Sequence, residues 1–179
     1  MISVITASLP TRSAMLAECV ASVAAQTLSP WEHLIGVDHG RRGPSAIRNE
    51  LLETAQGVWI AIVDDDDVLF PNHLERLRSV DADIVYSYCS VEGRAWSPNR
   101  EFDADALRAG NYIPATVLID ASFLRRLGGW REDTVYGWED WDLYLRALDA
   151  GGTFACVPEV TWRYRFHGGN RTNRGDDAA

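Results

Sequence analysis

The sequence predicts an α/β fold, a three-layer α/β/α sandwich around a mostly parallel sheet. Three observations carry that prediction. Short β-branched runs alternate with segments of helical periodicity along most of the chain, the order expected when crossover helices join parallel strands. The run Val58-Trp-Ile-Ala-Ile-Val63 is apolar at every position, which suits a central strand covered on both faces. The 179 residues are 46% hydrophobic and 24% charged, enough for one domain with a buried core and far from a disordered composition.

Ile2 to Ala7 is short and β-branched and opens the fold as a strand. Met15, Leu16, Cys19, Val20 and Val23 recur at helical spacing, so a helix is expected from Arg12 to Gln26. Trp31 to Val37 is the second strand. Pro44 then sits where a first helical residue belongs, and Gly57 stops the helix that follows. After the strand Val58–Val63, Pro71 opens a helix running to Arg78, and Asp83 to Ser90 reads as the fourth strand. Ala95 to Arg100 is irregular, and Asp103 to Ala109 forms a short helix. Thr116 to Ile119 is a strand, and Ala121 to Leu127 a helix ended by Gly128-Gly129. Glu139 to Ala150 is the most periodic helix, stopped by Gly151-Gly152, and the strands Thr153–Val157 and Thr161–Phe166 close the fold. Residues 168–179 are polar and Gly-rich and read as a mobile C-terminal tail or lid beyond a domain of residues 1–167.

The net charge is −9, from 26 acidic and 17 basic residues. That balance argues against nucleic acid or an anionic membrane as partner, because both select a basic face. Every basic residue is Arg. Cys19, Cys89 and Cys156 are scattered and odd in number, matching neither a zinc pattern nor a disulfide framework. No apolar run reaches the ~18–20 residues of a membrane span, and the first residues, a strand-like run without a basic n-region and long h-region, are not expected to act as a signal peptide. A cytoplasmic location is the expectation, and a homo-oligomer is compatible with it.

The strand Val58–Val63 runs directly into Asp64-Asp65-Asp66-Asp67. Adjacent carboxylates repel and raise each other's pKa unless a cation lies among them. In parallel sheets, ligands bind beyond the carboxyl ends of the strands. Asp38 follows the second strand and the four aspartates follow the third, so both belong on one rim. A solvated acidic turn is the bland alternative.

Seven pieces then occur in order: Thr6-Ala-Ser-Leu-Pro-Thr11, Val37-Asp38, Arg48-Asn49, Gly57-Val-Trp-Ile-Ala-Ile-Val-Asp-Asp-Asp-Asp67, Gly128-Gly-Trp-Arg-Glu-Asp133, Glu139-Asp-Trp-Asp-Leu-Tyr-Leu-Arg146 and Tyr164-Arg-Phe-His167. Together they resemble the family 2 glycosyltransferases, which have the GT-A fold and invert the anomeric carbon. The resemblance covers residue 2 to about residue 173. It implies a nucleotide-diphosphate sugar as donor, with a UDP-sugar expected, and a hydroxyl acceptor on a glycan, a lipid-linked sugar, a protein or a metabolite. It also implies Mn²⁺ or Mg²⁺, which suit hard oxygen ligands and neutralise a departing diphosphate.

Carried over residue by residue, the resemblance makes Asp66 the metal ligand of an Asp-X-Asp motif. Asp64 would serve the ribose or the metal shell, with Asp65 beside it in the donor site, and Asp67 would order the next turn. Asp140 becomes the general base, with Glu139 binding the acceptor or supporting loops. A helix N-terminus favours the charged carboxylate there, although acids are common in first helical turns in any case. His167 would complete the metal or diphosphate site. Thr6, Ser8 and Pro10 line the donor site, Asp38 meets the donor base or merely organises a turn, and Arg48 contacts the diphosphate or lies on a solvated helix face. Trp130 and Trp138 are candidates for an acceptor groove, while Trp141 is expected to be buried.

Two features depart from the family pattern. Only ten residues separate Asp38 from Asn49, so the donor pocket is abbreviated, and Arg12-Ser13 stands where the family usually carries Tyr-Asn. Two other readings share the acidic rim: a non-catalytic family member that binds nucleotide sugar or glycan, and a metal-dependent nucleotidyltransferase or phosphohydrolase.

Overall fold

A computed structural model gives the fold and describes residues 1–29, 31–92, 99–134 and 137–167. The expected tail of residues 168–179 lies outside these, as does most of the irregular stretch expected from Ala95 to Arg100. In chain order the elements are β1 (Ile2–Ser8), α1 (Ser13–Ala24), β2 (Trp31–Val37), α2 (Pro44–Thr54), β3 (Trp59–Ile62), β4 (Val68–Leu69), α3 (His73–Arg78), β5 (Ile84–Glu92), α4 (Ala104–Ala109), β6 (Val117–Asp120), α5 (Ala121–Arg126), α6 (Glu139–Asp149) and β7 (Phe154–Arg165). A 3₁₀ turn, Pro10–Arg12, joins β1 to α1.

The seven strands form one sheet in the order β2-β1-β3-β6-β5-β7-β4. Strands β1, β2, β3, β5 and β7 point one way, and β6 and β4 run against them. The mostly parallel, mixed α/β architecture is therefore the expected one. Strand β3 is central as its composition required, with β1 parallel on one side and β6 antiparallel on the other.

Period-two alternation splits the core into two layers. Ile5, Ile60, Ile62, Ile84 and Ile119 pack on one face with Leu52, Phe123, Leu143 and Tyr144 from the helices. Their neighbours Val4, Ala61, Val63, Val85 and Leu118 pack on the other face with Cys19, Val23, Leu74 and Leu77. Helices on both faces make the three layers. Among the described residues no helix is long and apolar enough to cross a membrane.

Two expected strands at the end of the chain are one. Pro158 argues for a break, yet β7 runs through it, because the register against β5 shifts between Ser87 and Cys89 and leaves Pro158 and Glu159 opposite no partner. A bulge is where a sheet tolerates proline. Strand β4, absent from the sequence reading, pairs Val68 with Arg163 and Leu69 with Trp162. This pairing clamps the segment that follows the four aspartates.

On the face of the sheet holding α1 and α3, His73 is buried, with Nδ1 2.7 Å from Thr161 Oγ1, which lies 2.6 Å from Ser87 Oγ. Burial holds its pKa down to about 3. An unfolded histidine titrates near ~6.5, so the unfolded chain binds the extra proton first as pH falls. Stability is thus present above about pH 6.5 and is lost toward lower pH. His73→Asn is expected to flatten this loss between about pH 6.5 and 4, by up to ~1.4 kcal/mol per pH unit. Urea unfolding across that range measures the slope, and equal slopes in the two proteins would contradict the assignment.

Candidate functional site

The rim forms where β1, β2 and β3 end side by side. Asp38 N–H donates to Ser8 O, and Val63 N–H donates to Ile5 O. The acidic run turns sharply there, with Asp67 N–H returning to Asp64 O at 3.1 Å. Its four side chains take different sets of partners, with Arg12 shared between Asp65 and Asp66.

Asp65 faces back to β1. It accepts from Ser8 Oγ at 2.6 Å, from Leu9 N–H at 3.4 Å and from Arg12 Nη1 at 2.8 Å. Asp66 Oδ2 receives Arg12 Nη1 and lies against His167 Nε2, both at 2.9 Å. Asp67 accepts from Thr116 Oγ1 and from Arg165 N–H, which ties the turn to the end of β7 and brings His167 within reach. Asp64 accepts from Arg48 Nη2 at 2.7 Å.

Arg48 is the hub. Its side chain is 2% exposed and spans both acidic motifs, with Nη2 on Asp64 and Nη1 on Asp140 at 2.9 Å, while Glu139 lies 3.9 Å away. The Trp130 ring lies 5.8 Å from its guanidinium carbon. The next residue fixes this geometry. Asn49 accepts from Trp130 N–H and donates to Trp130 O, at 3.0 and 2.9 Å. That two-way pairing holds the turn after α5, where Gly128 and Gly129 take φ of 79° and 69°. A Cβ on Gly129 would stand 2.5 Å from Asn49 Oδ1, so only glycine lets α2 approach so closely. Arg146, from the last turn of α6, donates to the carbonyls of Leu127 and Gly129 and docks the helix on this same turn.

The charges do not balance. Burial first, then the charge of Asp64, holds the Asp66 carboxyl above its usual range, against the pull of His167 and Arg12. Asp67 is raised further, by burial and then by Asp64 and Asp66. Asp140 is pushed up to about 6 by burial, with Arg48 opposing and Glu139 adding to the shift. Burial therefore outweighs the helix terminus that was expected to keep Asp140 low. One carboxylate oxygen from each of Asp64, Asp66 and Asp67 lies within 4.8 Å of the other two. Hard, anionic oxygens converging in a partly buried turn fit Mg²⁺ or Mn²⁺.

Several expected site residues sit differently. Thr6 is buried, and its hydroxyl pairs with His33 Nε2 at 3.0 Å, so its side chain does not face the rim. Ser8 acts on Asp65, and Pro10 is exposed at the head of the 3₁₀ turn. Asp38 is buried, and its carboxylate accepts from the N–H groups of Gly40, Arg42 and Gly43. Burial pushes its pKa up, but these amides prevail and hold it below the usual range. Here the turn-organising role is visible: the carboxylate folds the short link into α2, including Gly43 at φ 95°. Arg48 is no open helix-face residue but a buried one. Trp130, at 2% exposure, is a correction: Asn49 draws its backbone inward, so the indole packs under Arg48 instead of lining a groove. Trp138 is 50% exposed. Trp141 is partly buried, with its N–H on Leu107 O.

Sequence reasoning missed Arg12, Thr116 and the backbone of Arg165. The only signal for the first was Arg12-Ser13 in place of the usual pair. Arg165 lies inside the piece Tyr164-Arg-Phe-His167, where no role attached to it, and nothing in the sequence marked Thr116.

The family model described as glycosyl transferase family 2 matches residues 33–120, from β2 to β6. This span includes Arg48 and all four aspartates but neither Asp140 nor His167. The chain is 36% identical to the succinoglycan biosynthesis protein ExoO of Rhizobium meliloti, over 86% of this chain and 51% of that protein. It is 27% identical to the uncharacterized glycosyltransferase YwdF of Bacillus subtilis, over 74% of this chain and 62% of the other. Among solved structures, S. aureus TarS 1–349 in complex with UDP-GlcNAc superposes with a TM-score of 0.79 at 13% identity, over 97% of this chain and 61% of that one. The chain thus spans less than two thirds of the length of each of these proteins.

Proposed function

Since the chain belongs to glycosyl transferase family 2, we propose that it transfers a sugar from a nucleotide-diphosphate donor to an acceptor hydroxyl, with inversion. The observation that carries this reading is Arg48, whose single guanidinium joins Asp64 of the donor-side turn to Asp140 of the acceptor-side helix. The arrangement supports a single displacement with two sides. On one side Asp64, Asp66 and His167 would hold Mg²⁺ or Mn²⁺. The ion would supply Lewis-acid neutralisation of the charge that develops on the diphosphate.

On the other side Asp140 presents a carboxylate whose Oδ1 is fixed by Arg48 Nη1 at 2.9 Å. Its other oxygen, Oδ2, takes the proton of the acceptor hydroxyl as the hydroxyl oxygen attacks the anomeric carbon. The bond from that carbon to the diphosphate oxygen breaks, and the nucleoside diphosphate leaves. A base with a pKa of about 6 is well matched to work near neutrality. Trp138 offers an indole face to the acceptor sugar. TarS was solved with UDP-GlcNAc, which makes uridine diphosphate the first nucleotide to test.

A panel of nucleotide-diphosphate sugars incubated with protein and Mn²⁺ tests the reading. Release of nucleoside diphosphate by transfer, or by slow donor hydrolysis, is expected. Release of pyrophosphate or inorganic phosphate instead would favour a nucleotidyltransferase or phosphohydrolase, and no turnover with tight donor binding would favour a non-catalytic member. Asp66→Asn is expected to remove the gain in uridine diphosphate affinity that Mn²⁺ confers. Calorimetric titration with and without the ion measures it, and an undiminished gain would overturn the ligand assignment.

A further inference from the structure

The acidic turn already holds a cation of its own. A single nitrogen, Arg12 Nη1, lies 2.8 Å from Asp65 Oδ1 and 2.9 Å from Asp66 Oδ2. The Arg12 side chain is 19% exposed, while those of Asp65 and Asp66 are only 3% and 7% exposed. This is a partly desolvated contact, not a solvent-screened surface pair. Its base is fixed separately. Asp65 also accepts from Ser8 Oγ and Leu9 N–H, and Arg12 N–H closes the 3₁₀ turn onto Leu9 O at 3.0 Å. The turn would stay in place if the long side chain left Asp66.

A divalent ion on Asp66 and a guanidinium on the same carboxylate oxygen compete for one acceptor and repel each other. We propose that Arg12 is the exchangeable counter-ion of this pocket: it neutralises Asp66 until a divalent cation binds, and then turns to the diphosphate oxygens of the donor. The proposal rests on the metal-binding reading above. Phosphate is a natural second partner, because a guanidinium forks onto its oxygens. While Arg12 sits on Asp66, only a fraction of molecules can accept the ion, so apparent affinity for the ion alone is reduced by that fraction. A diphosphate that draws Arg12 away restores the affinity. Ion and nucleotide then bind with positive coupling, and by linkage each helps the other equally.

Mn²⁺ binding, read from the electron-spin-resonance signal of the free ion with and without uridine diphosphate, tests this. Arg12→Gln keeps a hydrogen-bond donor and removes the charge, and it is expected to bind Mn²⁺ alone roughly fivefold or more tightly than wild type. The nucleotide-induced gain should shrink by the same factor. Arg12→Lys should keep the weak wild-type affinity for Mn²⁺ alone, since one charged nitrogen makes both carboxylate contacts. Equal Mn²⁺ affinity in wild type and Arg12→Gln would overturn the exchange and leave the metal site standing. No Mn²⁺ binding in either protein, with or without nucleotide, would overturn both. Should Arg12→Gln fail to fold, the wild type decides. The Arg12 Nε–H resonance, identified by its loss in Arg12→Lys, should move as diamagnetic Mg²⁺ is added. A resonance that stays still while Mg²⁺ binds would overturn the proposal.

Discussion

Asp140→Asn is expected to lower sugar transfer by ~10²–10⁴-fold, the range for a lost general base, while leaving donor binding unchanged. The substitution is nearly isosteric, and the amide oxygen still accepts from Arg48 Nη1, which lies 2.9 Å from Asp140 Oδ1. The link between α6 and the donor-side turn therefore survives, and the loss reports chemistry alone. The pH profile gives an independent reading. Asp140 must be charged to act, and its pKa is raised to about 6, chiefly by burial. At pH 7 roughly nine-tenths of the enzyme would be competent, and activity would fall toward one decade per pH unit below the pKa. The Asn variant should show residual activity without that limb. Single-turnover rates with a saturating donor measure both effects. A variant that transfers at near wild-type rate would place the base elsewhere.

The second large effect is on stability. Arg48→Met keeps much of the apolar stem over Trp130 but strips the cation from Asp64, Asp140 and Glu139. Removing one partner of a buried ionic cluster costs ~3–5 kcal/mol, because the remaining charges stay buried and uncompensated. The lower end applies here. The Asp64 side chain is 37% exposed and recovers solvation, and Asp140 can take up a proton. For a chain of this size ~3 kcal/mol corresponds to a drop of roughly 6–12 °C in melting temperature. Differential scanning calorimetry checks it. A melting temperature within a degree or two of wild type would show that the cluster is far less coupled than its distances imply. Activity should also fall, because Arg48 both orients Asp140 and holds Asp64.

Much of this site was legible in the sequence because its parts are local. A β-branched strand running into four acids fixes the place of those acids on a sheet rim, and an acid pair opening a strongly periodic helix fixes the place of Asp140. The pieces that were not legible depend on what meets across the fold. Strand β4 is two residues long and exists only because β7 pairs with it. Pro158 reads as a break, and only the bulge against β5 lets β7 continue past it. Trp130 has the composition of a sugar-stacking residue, but Asn49 fastens its backbone and turns the indole under Arg48. Asp38 looks the same in sequence whether it meets a ligand or three backbone amides. Arg12 is one of seventeen basic residues, and its importance appears only once the 3₁₀ turn sets it over Asp65 and Asp66.

The turn Asp64–Asp67 is proposed to hold a divalent ion against the diphosphate of a sugar donor. Crystals grown with uridine diphosphate and Mn²⁺, with data collected at the manganese absorption edge, test it most directly. One anomalous peak coordinated by Asp66 is expected, with diphosphate oxygens completing its shell and Arg12 withdrawn from the carboxylate. A nucleotide bound away from the turn, with no anomalous peak beside Asp66, would contradict it.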